Sequence, residues 1–169
     1  MVTLEYDPLA PKSLEIRGRL KDQTLTGVDF IADTLLVSGT NVRDVKITSL
    51  ELTNTGTIQK LKALKLVLKG AQCSLLGSIC EYQGTYTNGK VTFKLNPGVT
   101  ADVLNNATIL GSIDGQLTNG TIHFNITDIA FSGYTKEDIP TKVSPLRTLT
   151  VQTEKSAIKV YGEGKDTIP

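Results

Sequence analysis

The chain has 169 residues, enough to bury a core without cross-links, and its 18 Lys and Arg against 17 Asp and Glu leave a net charge of +1. That balance supplies no field to draw in nucleic acid, and the absence of Trp with an aromatic share of 5% weighs against base-stacking platforms and aromatic-lined ligand pockets. No apolar run reaches the roughly 18 residues that a membrane-spanning helix needs.

At the start, Val2, Leu4 and Tyr6 alternate with Thr3 and Glu5, and Pro8 and Pro11 then stop any strand. Residues 1–12 read as an extended N-terminal arm, 13–161 as a β domain and 162–169 as a polar C-terminal tail. The first residues lack the basic start and apolar stretch of a signal peptide. Ser13 to Leu20 is the clearest strand, with Leu14, Ile16 and Leu20 on one side and Glu15, Arg17 and Arg19 on the other. Thr24 to Phe30 and Thr34 to Val37 read as two shorter strands.

Val42 to Leu52 is apolar with phase slips, between Val42 and Val45 and around Thr48-Ser49, that predict bulges or bends. Ile58 to Lys69 is ambiguous. Ile58, Leu61, Leu64 and Leu68 make a helical stripe, whereas Leu64, Leu66 and Leu68 alternate as a strand, and we favour the strand. Its lysines read as guards of an exposed sheet edge. Cys73 and Cys80 flank six residues, and a disulfide between them would close a loop worth about 2.5 kcal/mol in an oxidising compartment.

The most informative pattern is a repeat. Gly84 to Leu95 reads Gly-Thr-Tyr-Thr-Asn-Gly-Lys-Val-Thr-Phe-Lys-Leu, and Gly115 to Ile126 reads Gly-Gln-Leu-Thr-Asn-Gly-Thr-Ile-His-Phe-Asn-Ile. Asn-Gly is the pair that a two-residue hairpin turn prefers, and each is followed by apolar residues in strand alternation. Both copies therefore read as hairpins, the second joining Thr108–Leu117 to Thr121–Phe131 with a bulge near Thr127-Asp128. Leu52 to Ile58 is a weaker echo of Leu117 to Ile122 and reads as another turn. Asn96-Pro97-Gly98 reads as a turn, Ala101 to Asn106 as a helical turn or loop, and Tyr134 to Leu146 as a long connection. A last hairpin sets Leu149/Val151 against Ile158/Val160.

About a dozen short strands with regular turn signals predict an all-β, single-domain antiparallel β-sandwich, jelly-roll-like, or a barrel, with at most one short helix. The chemistry is sparse. The lone histidine, His123, falls opposite the core by alternation, and Asp114-Gly115 lacks the oxygen ligands of a calcium loop. We expect no catalytic, cofactor-binding or metal site, no cofactor, and no enzyme. Asn106, Asn119 and Asn125 each begin an Asn-X-Thr glycosylation triplet. The reading is an extracellular or cell-surface structural or interaction module, a surface or filament subunit that self-associates by strand addition. Val2, Leu4 and Tyr6 would be its assembly strand, and its partners would be copies of itself or a cell-surface protein. The alternative is a β-barrel that binds a small apolar, lipid-like ligand.

Overall fold

Strand alternation decides most of what is seen in the computed structural model, which describes residues 10–69 and 79–153. In chain order the elements are β1 (Ser13–Gly18), β2 (Gln23–Leu25), β3 (Asp29–Thr40), β4 (Ile47–Asn54), β5 (Leu61–Lys69), β6 (Ile79–Thr87), β7 (Lys90–Val99), α1 (Ala101–Leu104), β8 (Thr108–Ile113), β9 (Gly120–Phe131), β10 (Thr141–Val143) and β11 (Thr148–Val151). One curled sheet runs β10-β1-β3-β8-β5-β6-β7-β4-β9-β11-β2. The ladders are antiparallel except at its two ends, where β10 lies parallel to β1 and β2 parallel to β11. The fold is thus all-β, with one short helix among the described residues, and its sheet is mixed because of those two edge strands.

The sheet turns over where strands change partners. β6 pairs with β5 through Ile79–Gln83 and with β7 through Gly84–Thr87. β3 likewise pairs with β8 through its first half and β1 through its second. The apolar faces meet in one core containing Ile16, Leu35, Leu50, Leu66, Phe93, Ile109 and Phe124. Each fully buried side chain of this kind contributes about 1.5–3 kcal/mol relative to exposure. Leu35, Leu50, Leu52, Leu66, Phe93 and Ile109 are each 0% exposed. Among the described residues that is the close packing of a sandwich core.

Several predicted elements change in instructive ways. The helix-like spacing of Leu61 and Leu64 belongs to a strand, and Ile58 lies just before it. Ala63 takes φ 56° and the β5–β8 register shifts between Lys62 and Lys65, so a bulge turns spacing two into spacing three. β5 also lies between β6 and β8, so its lysines do not guard an edge; Lys65 faces Glu81 at 3.4 Å. The expected strands at 24–30 and 34–37 become β2 and a single β3 that absorbs a bulge between Ile31 and Asp33. Asn96-Pro97-Gly98 does not end the strand but lies within the last part of β7. There Lys94 pairs with Ser49 and Val99 with Ile47, leaving 95–98 looped opposite Thr48, with Asn96-Pro97 in cis. The slip expected around Thr48-Ser49 is present, and Val42–Val45 closes a turn through Val45 N to Val42 O at 3.0 Å.

The second copy of the repeat is the largest correction. The first copy is a hairpin: Tyr86 pairs with Val91, Thr87 with Lys90, and Asn88 and Gly89 turn with φ 54° and 79°. The second is not. β8 pairs only with β3 and β5, while β9 pairs with β4 and β11, so residues 114–119 cross from one part of the sheet to another. The echo segment also finds its place here. It runs beside β9, with Thr55 N on His123 O at 2.8 Å and Ile58 N on Thr121 O at 2.9 Å.

Two buried polar side chains tie this topology together. Asp33, with no exposed surface, accepts the N–H groups of Arg19, Leu20 and Thr34 on Oδ1 and that of Arg147 on Oδ2. Gly18 is needed beside it, since a Cβ there would overlap the Asp33 carboxylate. Asn54 accepts the N–H groups of Gly56 and His123 and donates to Ile58 O at 2.8 Å. Burial pushes the Arg147 guanidinium below its ordinary range, opposed by Asp33 and Asp22.

Candidate interaction site between β9 and β10

The site begins with the bulge that the sequence announces. On β9, Asp128 pairs with Glu51 and Ile126 with Leu52, so Thr127 is the extra residue. The bulge reverses the alternation: Ile126 and Ile129 are buried while Thr127 and Asp128 both face out. Thr127 Oγ1 donates to Glu51 Oε1 at 2.8 Å and lies 3.0 Å from Thr53 Oγ1, which fixes the extra residue over β4.

The chain then leaves β9 through a capped turn. Thr135 N donates to Asp138 Oδ2 at 2.8 Å, and Asp138 N returns to Thr135 Oγ1 at 3.2 Å. Ile139 follows, fully buried, and anchors the return into β10. The segment expected to be a plain connection, Tyr134 to Leu146, therefore contains a strand. β10 pairs with β1 on one side, while further along Leu146 N reaches Phe124 O at 3.1 Å and β11 joins β9.

Between these two attachments the chain and β9 diverge. A groove of about 250 Å³ opens there, lined by Ile126, Asp128, Ile129, Lys136, Ile139 and Val143. Among the described residues no ladder joins β9 to β10, so the groove is a slot between two strand edges with an isoleucine floor. Val143 is 40% exposed, one of three large apolar side chains left so open among the described residues. At the rim, Lys136 Nζ donates to Asp128 Oδ1 at 2.8 Å. That hydrogen bond holds the Asp128 carboxyl below its ordinary range, against a smaller effect of burial, and it raises Lys136. A larger groove of about 510 Å³ lies along β1, β3 and β10, lined by Leu14, Glu15, Ser38, Thr40, Pro140 and Lys142 among others. Ladders join β10, β1 and β3 beneath it, so among the described residues it is not a gap between two strand edges.

The residues singled out from the sequence lie elsewhere. Val2, Leu4, Tyr6 and Cys73 fall outside the described residues, as do Ile158, Val160 and the tail. Cys80 sits opposite Leu68 at the start of β6, half-buried. Asn106 is exposed in a left-handed turn and its Oδ1 accepts from Arg19 Nη1 at 2.8 Å. Asn119 is exposed and its Oδ1 accepts from Thr153 N at 2.8 Å, whereas half-buried Asn125 donates to Thr55 Oγ1 at 3.2 Å. His123 points away from the core as expected but is half-covered, its Nδ1 3.0 Å from Thr148 Oγ1 on β11. Among the described residues no group of three or more His, Cys, Asp or Glu is placed to hold a metal ion, and no helix is long and apolar enough to cross a membrane. Sequence reasoning missed Ile139 and Val143, because Pro140 and Pro145 hide a three-residue strand. The phase break at Thr127-Asp128 was the one signal pointing to the slot.

No protein-family model matches the chain, and no curated protein matches it. Solved structures to which it is similar include the seventh ScaB type I cohesin of Pseudobacteroides cellulosolvens, at 14% identity over 89% of this chain and 99% of that one, with a TM-score of 0.47. A non-cellulosomal cohesin of Archaeoglobus fulgidus shows 12% identity over 85% and 92%, with a TM-score of 0.43. A type I cohesin–dockerin complex of Clostridium thermocellum shows 11% identity over 90% and 98%, with a TM-score of 0.40. At these identities and scores the likenesses carry no argument about what this chain does.

Proposed function

We propose that the protein is a non-enzymatic interaction module, an extracellular surface or filament subunit that associates by taking an added strand into the slot between β9 and β10. The observation that carries this reading is the slot itself: two strand edges not joined to each other, an apolar floor of Ile126, Ile129 and Ile139, and the exposed Val143. An extended peptide laid there would gain backbone hydrogen bonds from the edges and would bury alternate side chains against the floor. The Asn-X-Thr triplets and the proposed Cys73–Cys80 disulfide support the extracellular placement.

Light scattering after size exclusion, over a range of concentrations, tests it. The native chain gains mass with concentration, and Val143→Asp, which puts a charge on an exposed slot position, stays monomeric with an unchanged melting temperature. Equal association of the two proteins removes the slot from the interface.

A further inference from the structure

We propose that the strand entering the slot is Met1–Leu9 of a second copy, with Val2, Leu4 and Tyr6 turned to the isoleucine floor; this rests on the slot being the site of association. Three observations lead to it. The arm alternates apolar and polar residues over the length of a short strand, so one face of it matches an apolar floor and the other, with Thr3 and Glu5, suits solvent. Its acidic residues, Glu5 and Asp7, meet a β10 that carries the exposed Lys142.

The third observation is where the arm departs. Asn41 Nδ2 donates to Pro11 O at 2.7 Å, Lys12 is buried with its ammonium 5.3 Å from the centre of the Tyr134 ring, and Leu14 N donates to Pro140 O at 3.0 Å. The exit point is therefore pinned beside β1 and the start of β10, whereas the slot lies on the far side of β10 from β1. Because β10 runs parallel to β1, the arm would have to reverse direction on leaving β1 to lie along β10 in its own slot. Pro8 and Pro11 disfavour helical backbone in the residues before them, which suits an extended donor strand. Nine extended residues reach about 30 Å, far enough to meet a neighbour.

Donor and acceptor are then different surfaces of one chain. The contact is heterologous, and it adds subunits head to tail rather than closing a twofold dimer.

Mixing variants tests this. A chain lacking Met1–Leu9 keeps its slot, and the full chain carrying Val143→Asp keeps its arm. Each alone is expected to be monomeric in light scattering, and the equimolar mixture is expected to form a one-to-one pair that grows no further, while the native chain forms longer species. A synthetic Met1–Leu9 peptide in excess is expected to dissolve those species, and the same peptide with Leu4→Asp to leave them intact. This second arm stands if either variant folds poorly. A native chain that stays monomeric while loss of the arm lowers its melting temperature overturns the second copy as donor and places the arm in its own slot. Association that survives removal of the arm but not Val143→Asp also overturns the donor, while sparing the slot. Association that survives Val143→Asp overturns the slot reading beneath both.

Discussion

Gly84–Leu95 and Gly115–Ile126 share Gly, Thr, Asn, Gly and Phe in register, yet one is a hairpin and the other a crossing between parts of the sheet. The shared Phe does the same work in both, since Phe93 and Phe124 are among the largest fully buried side chains. The shared Asn-Gly does not. In the first copy both residues adopt positive φ and join neighbouring strands. In the second, β8 ends at Ile113, followed by exposed Asp114 and by Gly115 at φ 101°, so no strand arrives at Asn119 to be turned back. Gly120 there serves space: a Cβ would lie 2.6 Å from Thr57 Oγ1 and 2.8 Å from Ile58 Cγ1. Asn119 caps the end of β11 through Thr153. A core position is read from its own alternation, whereas a turn needs a partner strand on each side of it.

Mutations can break or sharpen this contrast. The largest effect is the one the copies share. Phe93→Ala and Phe124→Ala should each cost about 3–5 kcal/mol in urea unfolding, within about 1 kcal/mol of each other. A large difference would mean that the two rings do not play equivalent parts in the core. Asn54→Ala should cost about 1–3 kcal/mol, because it leaves the half-buried N–H groups of Gly56 and His123 without their acceptor. Asn54 also lies 3.4 Å from Tyr86 Oη of the hairpin, so amide exchange should quicken in both copies. Exchange confined to one copy would show that they are not coupled through it.

The Asn-Gly pairs separate next. Asn88→Gly should change stability by a few tenths of a kcal/mol at most, since Gly accepts the same positive φ. Asn119→Gly should cost about 1 kcal/mol through the lost bonds from Thr153. Equal costs would argue that Asn119 is a turn residue after all.

The smallest effect concerns the bulge that only the second copy leads into. The folded Asp128 carboxyl lies below its ordinary 3.8, so its contribution is present above that pH and fades as pH falls through the lowered value. Lys136 lies above its ordinary 10.5, so its contribution is complete below that pH and fades as pH rises through the raised value. Between those limits, Lys136→Met should lower the melting temperature only slightly, because both partners are exposed. The difference should vanish at acid pH, and a pH-independent difference would assign the effect to packing.

Much of the site's framework was legible in the sequence. The bulge at Thr127-Asp128 followed from apolar residues out of phase, because an inward position must be apolar whatever strand lies alongside. The slot was not legible, because it depends on where β10 lies relative to β9. Val143 in sequence is a lone apolar residue between two prolines, and only its pairing with Ile16 shows that it belongs to a strand.

By itself, then, the sequence determined most of the longer strands, their inward faces and several places where alternation slips, because each is a local consequence of burying one side of an extended chain. The tertiary structure alone decided which strands became neighbours. It made one Asn-Gly a turn and the other a cap, it put the lysines of β5 mid-sheet, and it left β9 and β10 apart. Those outcomes rest on ladders between residues far apart in the chain, and a local pattern of apolar and polar residues does not specify its partner.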